Sequence, residues 1–117
     1  MVFLHVAINV TDLERAAAFY EGVLGLTPIE RSLKFAGRWY QVGSAQIHLI
    51  QAEKVVDSRQ DERWGRNPHF ALGVSDLAGL EQRLTAAQIP FQRSASGRAA
   101  IFVADPDGNL IEFGQLS

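Results

Sequence analysis

The chain contains no cysteine. That excludes disulfides, thiolate metal sites and cysteine nucleophiles, and it fits a reducing compartment. A surplus of charge is also missing. The net charge of −2 leaves no electrostatic footprint for nucleic acid. No apolar run approaches the roughly 20 residues that span a bilayer. The N-terminus lacks the basic, apolar and small-residue pattern of a secretion signal. A cytoplasmic protein without membrane or nucleic-acid partners is therefore expected. At 117 residues the chain is one domain, or two small modules that could not each bury a core alone. Histidine is scarce as well, with three in the whole sequence.

Those three histidines fall on an internal repeat. Leu4-His5-Val6-Ala7-Ile8-Asn9-Val10-Thr11-Asp12-Leu13 aligns with Pro68-His69-Phe70-Ala71-Leu72-Gly73-Val74-Ser75-Asp76-Leu77, five of the ten positions being identical. The offset of 64 residues that carries His5 onto His69 also carries His48 onto Glu112. A fixed-period repeat marks two copies of one supersecondary unit.

Hydrophobic periodicity gives each copy the order β-α-β-β-β. In the first, residues 2–9 alternate as a strand, with Phe3, His5, Ala7 and Asn9 on one face. Thr11 and Glu14 have capping-box spacing, and Leu13, Ala16, Ala17, Tyr20 and Leu24 make a helical stripe that Gly25 stops. Strands are predicted at 27–34, 38–42 and 46–51, with turns at Gly37 and Gly43-Ser44. In the second copy, a strand over 67–74 precedes a helix capped by Ser75, with Leu77, Leu80, Leu84 and Ala87 as its stripe. Strands at 91–94, 99–104 and 109–115 follow. Asp105-Pro106-Asp107-Gly108-Asn109 reads as a tight turn, with Gly108 at the left-handed position. The modules are thus 1–52 and 67–117. Between them lies a connector over 53–66 in which eight of fourteen residues are charged, so it is expected to be exposed. Its Trp64 is expected to pack against a sheet edge.

His5, His48 and His69 are each placed near the middle of a predicted strand, and Glu112 is a carboxylate in an otherwise apolar one. A lone strand histidine is usually a hydrogen-bonded packing residue. Random placement, however, would not set all three histidines on repeat-related strands. An approximate twofold between the modules would gather three imidazoles and one carboxylate. That donor set suits one divalent transition metal such as Zn, Ni, Fe, Mn or Co, whereas Ca or Mg would want more oxygens. His5, His69 and Glu112 alone would make a facial triad.

With these residues in place, the chain resembles the vicinal oxygen chelate (VOC) superfamily, which includes glyoxalase I, extradiol dioxygenases, and fosfomycin- and bleomycin-resistance proteins. The matching residues are His5 within Leu4–Val10, Asp12-Leu13, Phe19-Tyr20 through Leu24-Gly25-Leu26, His48, His69 before Val74-Ser75-Asp76-Leu77, and Asp105-Pro106-Asp107-Gly108 through Glu112. They cover essentially the whole chain. The resemblance implies an α+β fold of two tandem βαβββ modules forming an open, cupped mixed β-sheet, and a homodimer. It also implies a metal bound by His5, His48, His69 and Glu112, and a small-molecule substrate that chelates it through vicinal oxygens.

Ligand count divides the reactions. Four protein ligands on an octahedral metal leave two positions, which suits a glyoxalase-type isomerase or lyase. Three leave room for a catecholate and O2, as in an extradiol dioxygenase. The resemblance to glyoxalase I makes Glu112 the candidate proton carrier as well as a ligand. The match departs at His48, where glyoxalase I has a glutamate. A bleomycin-resistance-like protein that binds its ligand without catalysis is the reading from another class. Asn9, Arg38, Tyr40, Gln46 and Arg98 are the candidate substrate-binding residues, an arginine being able to hold a carboxylate or phosphate in a bidentate way.

Overall fold

The computed structural model describes residues 1–31 and 36–117. It divides into two compact units, Met1–Val55 and Val56–Ser117. The first unit runs β1 (His5–Val10), α1 (Leu13–Ala17) continued by a π-helical stretch at Ala18–Val23, β2 (Thr27–Pro28), β3 (Gly37–Val42) and β4 (Ala45–Gln51). Residues 32–34 of the strand expected at 27–34 lie outside the described residues. The strand order is β1-β4-β3-β2, with β1 parallel to β4 and the other pairs antiparallel. The first and last strands of the module are parallel neighbours, and the long connection such a pair requires is made by α1, β2 and β3 together.

Period-two alternation decides which face is which. Val10, Tyr40 and Leu49 are fully buried, and Ile8 and Ile47 nearly so. They share one face with the helix, where Tyr20 stacks on Tyr40 with ring centroids 6.0 Å apart. The π stretch widens the helix, and the adjacent Phe19 and Tyr20 are both buried. Gly25, at φ +76°, ends it.

Both helices are capped one residue later than the capping-box reading placed them. Asp12, not Thr11, accepts from the Arg15 amide at 3.0 Å, and Asp76, not Ser75, accepts from the Gly79 amide at 2.9 Å. Aspartate is the better cap because its charge also faces the positive end of the helix. Thr11 instead accepts from the Arg15 guanidinium at 3.1 Å.

The second unit repeats the plan: β5 (Phe70–Val74), α2 (Leu77–Ala86), β6 (Phe91–Arg93), β7 (Ala100–Ala104) and β8 (Leu110–Gln115), in the order β5-β8-β7-β6. Leu77, Leu80 and Leu84 of α2 are buried, as are Ile101, Val103, Ile111 and Phe113 of the sheet. The helix closes on Gln88 at φ +59°, with the Ile89 amide donating to the Leu84 carbonyl at 2.9 Å. Asp105 is 4% exposed and nucleates the turn before β8. Its Oδ1 accepts from the amides of Asp107 and Asn109, both at 2.9 Å, while Gly108 sits at φ +87°.

The connector over 53–66 is exposed or half-buried throughout, as its charge implied, but it is not a free linker. From Val56 onward it belongs to the second unit. Asn67, 5% exposed, organises it: its Oδ1 accepts from the amides of Gln60 and Asp61, and its Nδ2 donates to the carbonyl of Asp61. Gln92 on β6 ties the strap down, accepting from the Trp64 amide at 3.1 Å and donating to the Glu62 carbonyl at 2.9 Å. The strap contains a 3-10 turn at Trp64–Arg66. A Cβ on Gly65 would lie 2.8 Å from the Phe102 ring, so only glycine lets the backbone pass this close to β7.

Candidate functional site

Each unit presents a pair of candidate residues on the face of its sheet away from the helix. In neither unit do both members sit in mid-strand. His5 opens β1, and His69 lies just before β5, so the expectation of two mid-strand histidines there is corrected. The ladder registers explain how each pair meets. His5 pairs with Gln46, so His48 is its diagonal neighbour two residues on. Phe70 pairs with Ile111, so Glu112 stands in the same diagonal relation to His69. Diagonal positions on one face remain within reach of long side chains.

In the second unit the pair is polar and open to a cavity. His69 Nδ1 lies 2.7 Å from the Asn67 carbonyl oxygen. A carbonyl only accepts, so Nδ1 carries the proton, and in the neutral ring the lone pair sits on Nε2. That nitrogen is 3.4 Å from Glu112 Oε1. Glu112 Oε2 accepts from Arg98 Nη2 at 3.2 Å, and Arg98 Nε donates to the Ser96 hydroxyl at 3.2 Å. The Glu112 side chain is 12% exposed, and Phe102, its cross-strand partner, meets the His69 ring edge to face at 5.2 Å. These residues line a cavity of about 410 Å³ whose rim includes Arg63, Arg66 and Ser94. The volume falls within the usual range for a small-molecule site.

In the first unit the pair is a stack. The rings of His5 and His48 are 4.1 Å apart and 16° from parallel. Trp39, paired with His48 across the ladder, stacks on its other face at 3.6 Å. The Arg31 guanidinium lies over Trp39 at 4.1 Å. His48 Nε2 is 2.8 Å from Gln46 Oε1. Burial, then the neighbouring His5 and Arg31, hold the His48 imidazole below its ordinary value. The in-plane lone pairs of two stacked rings lie in separate, nearly parallel planes, so both cannot bind one ion unless a ring turns. Among the described residues, no three His, Asp or Glu side chains gather as a ready-made metal centre.

The remaining sequence candidates divide by face. Asn9 and Gln46 share the face of His5 and His48. Arg38 and Tyr40 do not, and their expected place beside the candidate ligands is corrected. Trp39 occupies the position opposite His48, which turns both neighbours of Trp39 to the helix side. There Glu21 Oε2 accepts from Tyr40 Oη and from Arg38 Nη1, each at 2.8 Å. Tyr40 is fully buried, and burial together with Glu21 pushes its phenol above the ordinary range. Arg98 is where an anion-binding residue was expected, beside Glu112. Sequence reasoning missed Asn67, Gln92, Gly65, Arg63 and Arg66. Their only signal was a Trp-Gly pair, out of place in a charged connector.

A βαβββ repeat with a His–carboxylate pair on the sheet face opposite its helix defines the class. The chain belongs to the Glyoxalase/Bleomycin resistance protein/Dioxygenase superfamily, whose family model matches residues 2–113. It is 32% identical to a lactoylglutathione lyase of Haemophilus influenzae, over 97% of this chain and 91% of that protein. Its fold matches the crystal structure of a lactoylglutathione lyase from Agrobacterium tumefaciens with a TM-score of 0.71 and 25% identity, covering 97% of this chain and 92% of that one. A genomically encoded fosfomycin resistance protein from Listeria monocytogenes shares the fold, with a TM-score of 0.76 at 15% identity over 100% of this chain and 92% of that one. No helix among the described residues is long and apolar enough to cross a membrane.

Proposed function

We propose that the protein is a divalent-metal-dependent enzyme that isomerises or cleaves a small substrate bearing vicinal oxygens, with Glu112 moving the proton. The carrying observation is the His69 tautomer. With Nδ1 tied to the Asn67 carbonyl, Nε2 presents its lone pair beside the Glu112 carboxylate. A backbone acceptor that fixes the far nitrogen is the usual support of a ligating histidine. The proposed ligands are His5, His48, His69 and Glu112, two from each module, and the donor set suits Zn, Ni, Fe, Mn or Co. A bound metal would act as a Lewis acid on the substrate's vicinal oxygens.

The chain's own residues do the rest. The Arg98 guanidinium holds Glu112 Oε2 at 3.2 Å, and the other carboxylate oxygen faces His69. A substrate anion that drew Arg98 away would free that Glu112 oxygen to face the substrate. It could then take a proton from a carbon next to a carbonyl and return it to the neighbouring atom. Phe102 packs edge to face against His69 and covers one side of its ring. The relatives named lactoylglutathione lyase support this isomerase or lyase reading.

The His48 stack favours a second reading. If His48 stays between His5 and Trp39, the ligands reduce to His5, His69 and Glu112, the three-ligand set suited to an extradiol-type dioxygenase. The test is elemental analysis after loading with zinc, nickel or iron, beside Glu112→Gln. About one metal per chain, lost in the variant, is expected. Iron retained with O2 uptake on a catechol would select the dioxygenase. No metal taken up by the parent protein would leave a bleomycin-resistance-like binder. In solution we expect a cytoplasmic homodimer, checked by sedimentation.

A further inference from the structure

We propose that the strap residues Arg63 and Arg66, together with Arg98, form an oxyanion subsite. It would make the substrate a small acid carrying a carboxylate or phosphoryl terminus as well as its reacting oxygens. The net charge of the chain is −2, yet four arginines and a single carboxylate line the second unit's cavity. Two of the four are neutralised in place. Arg98 bonds Glu112, and Arg93 bonds Glu81 on α2. The guanidinium groups of Arg63 and Arg66 have no hydrogen bond or ion pair among the described residues, apart from what solvent supplies.

Exposed arginines are usually just solvated, and these differ in being held. Asn67 and Gln92 fix the strap at seven backbone groups, and the close pass of Gly65 over Phe102 sets its height above the sheet. The backbone that carries Arg63 and Arg66 is therefore fixed at the edge of a cavity whose lining also includes His69, Glu112, Ser94 and Ser96. Guanidinium groups with hydroxyl donors are the chemistry that binds carboxylate and phosphoryl oxygens in a directed way. An anion here would also compete with Glu112 for Arg98, coupling substrate binding to the release of the proposed base.

The substrate class rests on the function proposed above, but the subsite needs no metal and is tested without one. Calorimetric titration of the metal-stripped full chain with inorganic phosphate, and separately with acetate, at constant ionic strength should show saturable 1:1 binding of at least one of them. The stronger binder identifies a phosphoryl or a carboxylate terminus. Arg63→Gln with Arg66→Gln should weaken that binding about tenfold or more, with metal uptake unchanged. Arg93→Gln, whose guanidinium already serves Glu81, should stay within about twofold of the parent. Lysine at 63 and 66 should restore part of the affinity, charge without the fork, which separates anion binding from loss of the strap's fold. Absence of saturable binding of either anion, or a double glutamine variant that binds like the parent, overturns the subsite. Failure of metal uptake with anion binding intact overturns the metalloenzyme reading and leaves the subsite standing.

Discussion

The two modules share one topology and one register, yet the same diagonal pair of positions is put to different uses. In the first, His5 and His48 stack with Trp39 and Arg31 into a column of π faces, and burial lowers the proton affinity of His48. In the second, His69 and Glu112 sit edge-on to a cavity, the ring oriented by a backbone carbonyl and the carboxylate held by Arg98. The repeat supplies the positions; the cross-strand neighbour decides their use. Opposite His48 is Trp39, whose flat face invites stacking, and opposite Glu112 is Phe102, which turns its edge aside beneath the glycine of the strap. One scaffold thus holds one pair packed in a stack and one pair open to a cavity.

The largest expected effect breaks the comparison directly. His69→Ala should abolish metal binding, while His48→Ala should weaken it and also cost stability. Losing two stacked aromatic contacts would lower the unfolding free energy by about 1–3 kcal/mol. Metal content and denaturant unfolding on both variants decide the matter. Metal retained in full by His48→Ala would show that His48 stays in its stack, which selects the three-ligand dioxygenase reading.

Asp105→Ala comes next. It strips the acceptor from two amides in a buried turn that has no counterpart in the first module, where Gly43-Ser44 makes a two-residue hairpin. Unfolding should be easier by about 2–4 kcal/mol, from leaving those donors unpaired. Gly65→Ala should cost less in stability, about 1–3 kcal/mol of overpacking against Phe102. It should also lift the strap and weaken phosphate binding in the second module alone. The smallest effect separates the two helix ends. Gly25 already occupies the left-handed position after the first helix, whereas Gln88 occupies it after α2. Gln88→Gly should therefore stabilise the chain by up to about 1 kcal/mol, read as a modest rise in melting temperature. No gain would mean that the Gln88 side chain contributes to the fold in some other way.

Much of the architecture was legible because it depends on period and repetition. The alternation of Val6, Ile8 and Val10 against His5, Ala7 and Asn9 is visible in one dimension, and so is the echo of His5 in His69. The helix caps were misplaced by one residue because Thr11 and Asp12 are both competent acceptors. Only backbone geometry chooses between them. Arg38 and Tyr40 were set on the wrong face because strand parity needs a reference point. That reference is the Trp39–His48 pairing, a contact between β3 and β4.

The sequence by itself determined that the chain is two βαβββ modules, which residue types could bind metal, and that no thiol chemistry is available. These follow from periodicity, repetition and composition, all local to the string. Only the tertiary structure decided that His48 packs between two rings while His69 faces a cavity, and that a charged connector is a tethered strap carrying Arg63 and Arg66 to that cavity. Those outcomes depend on which side chain lies across the ladder and which carbonyl lies within 3 Å of a ring nitrogen. Such neighbours are set by the folding of distant segments onto one another, and no spacing along the chain encodes them.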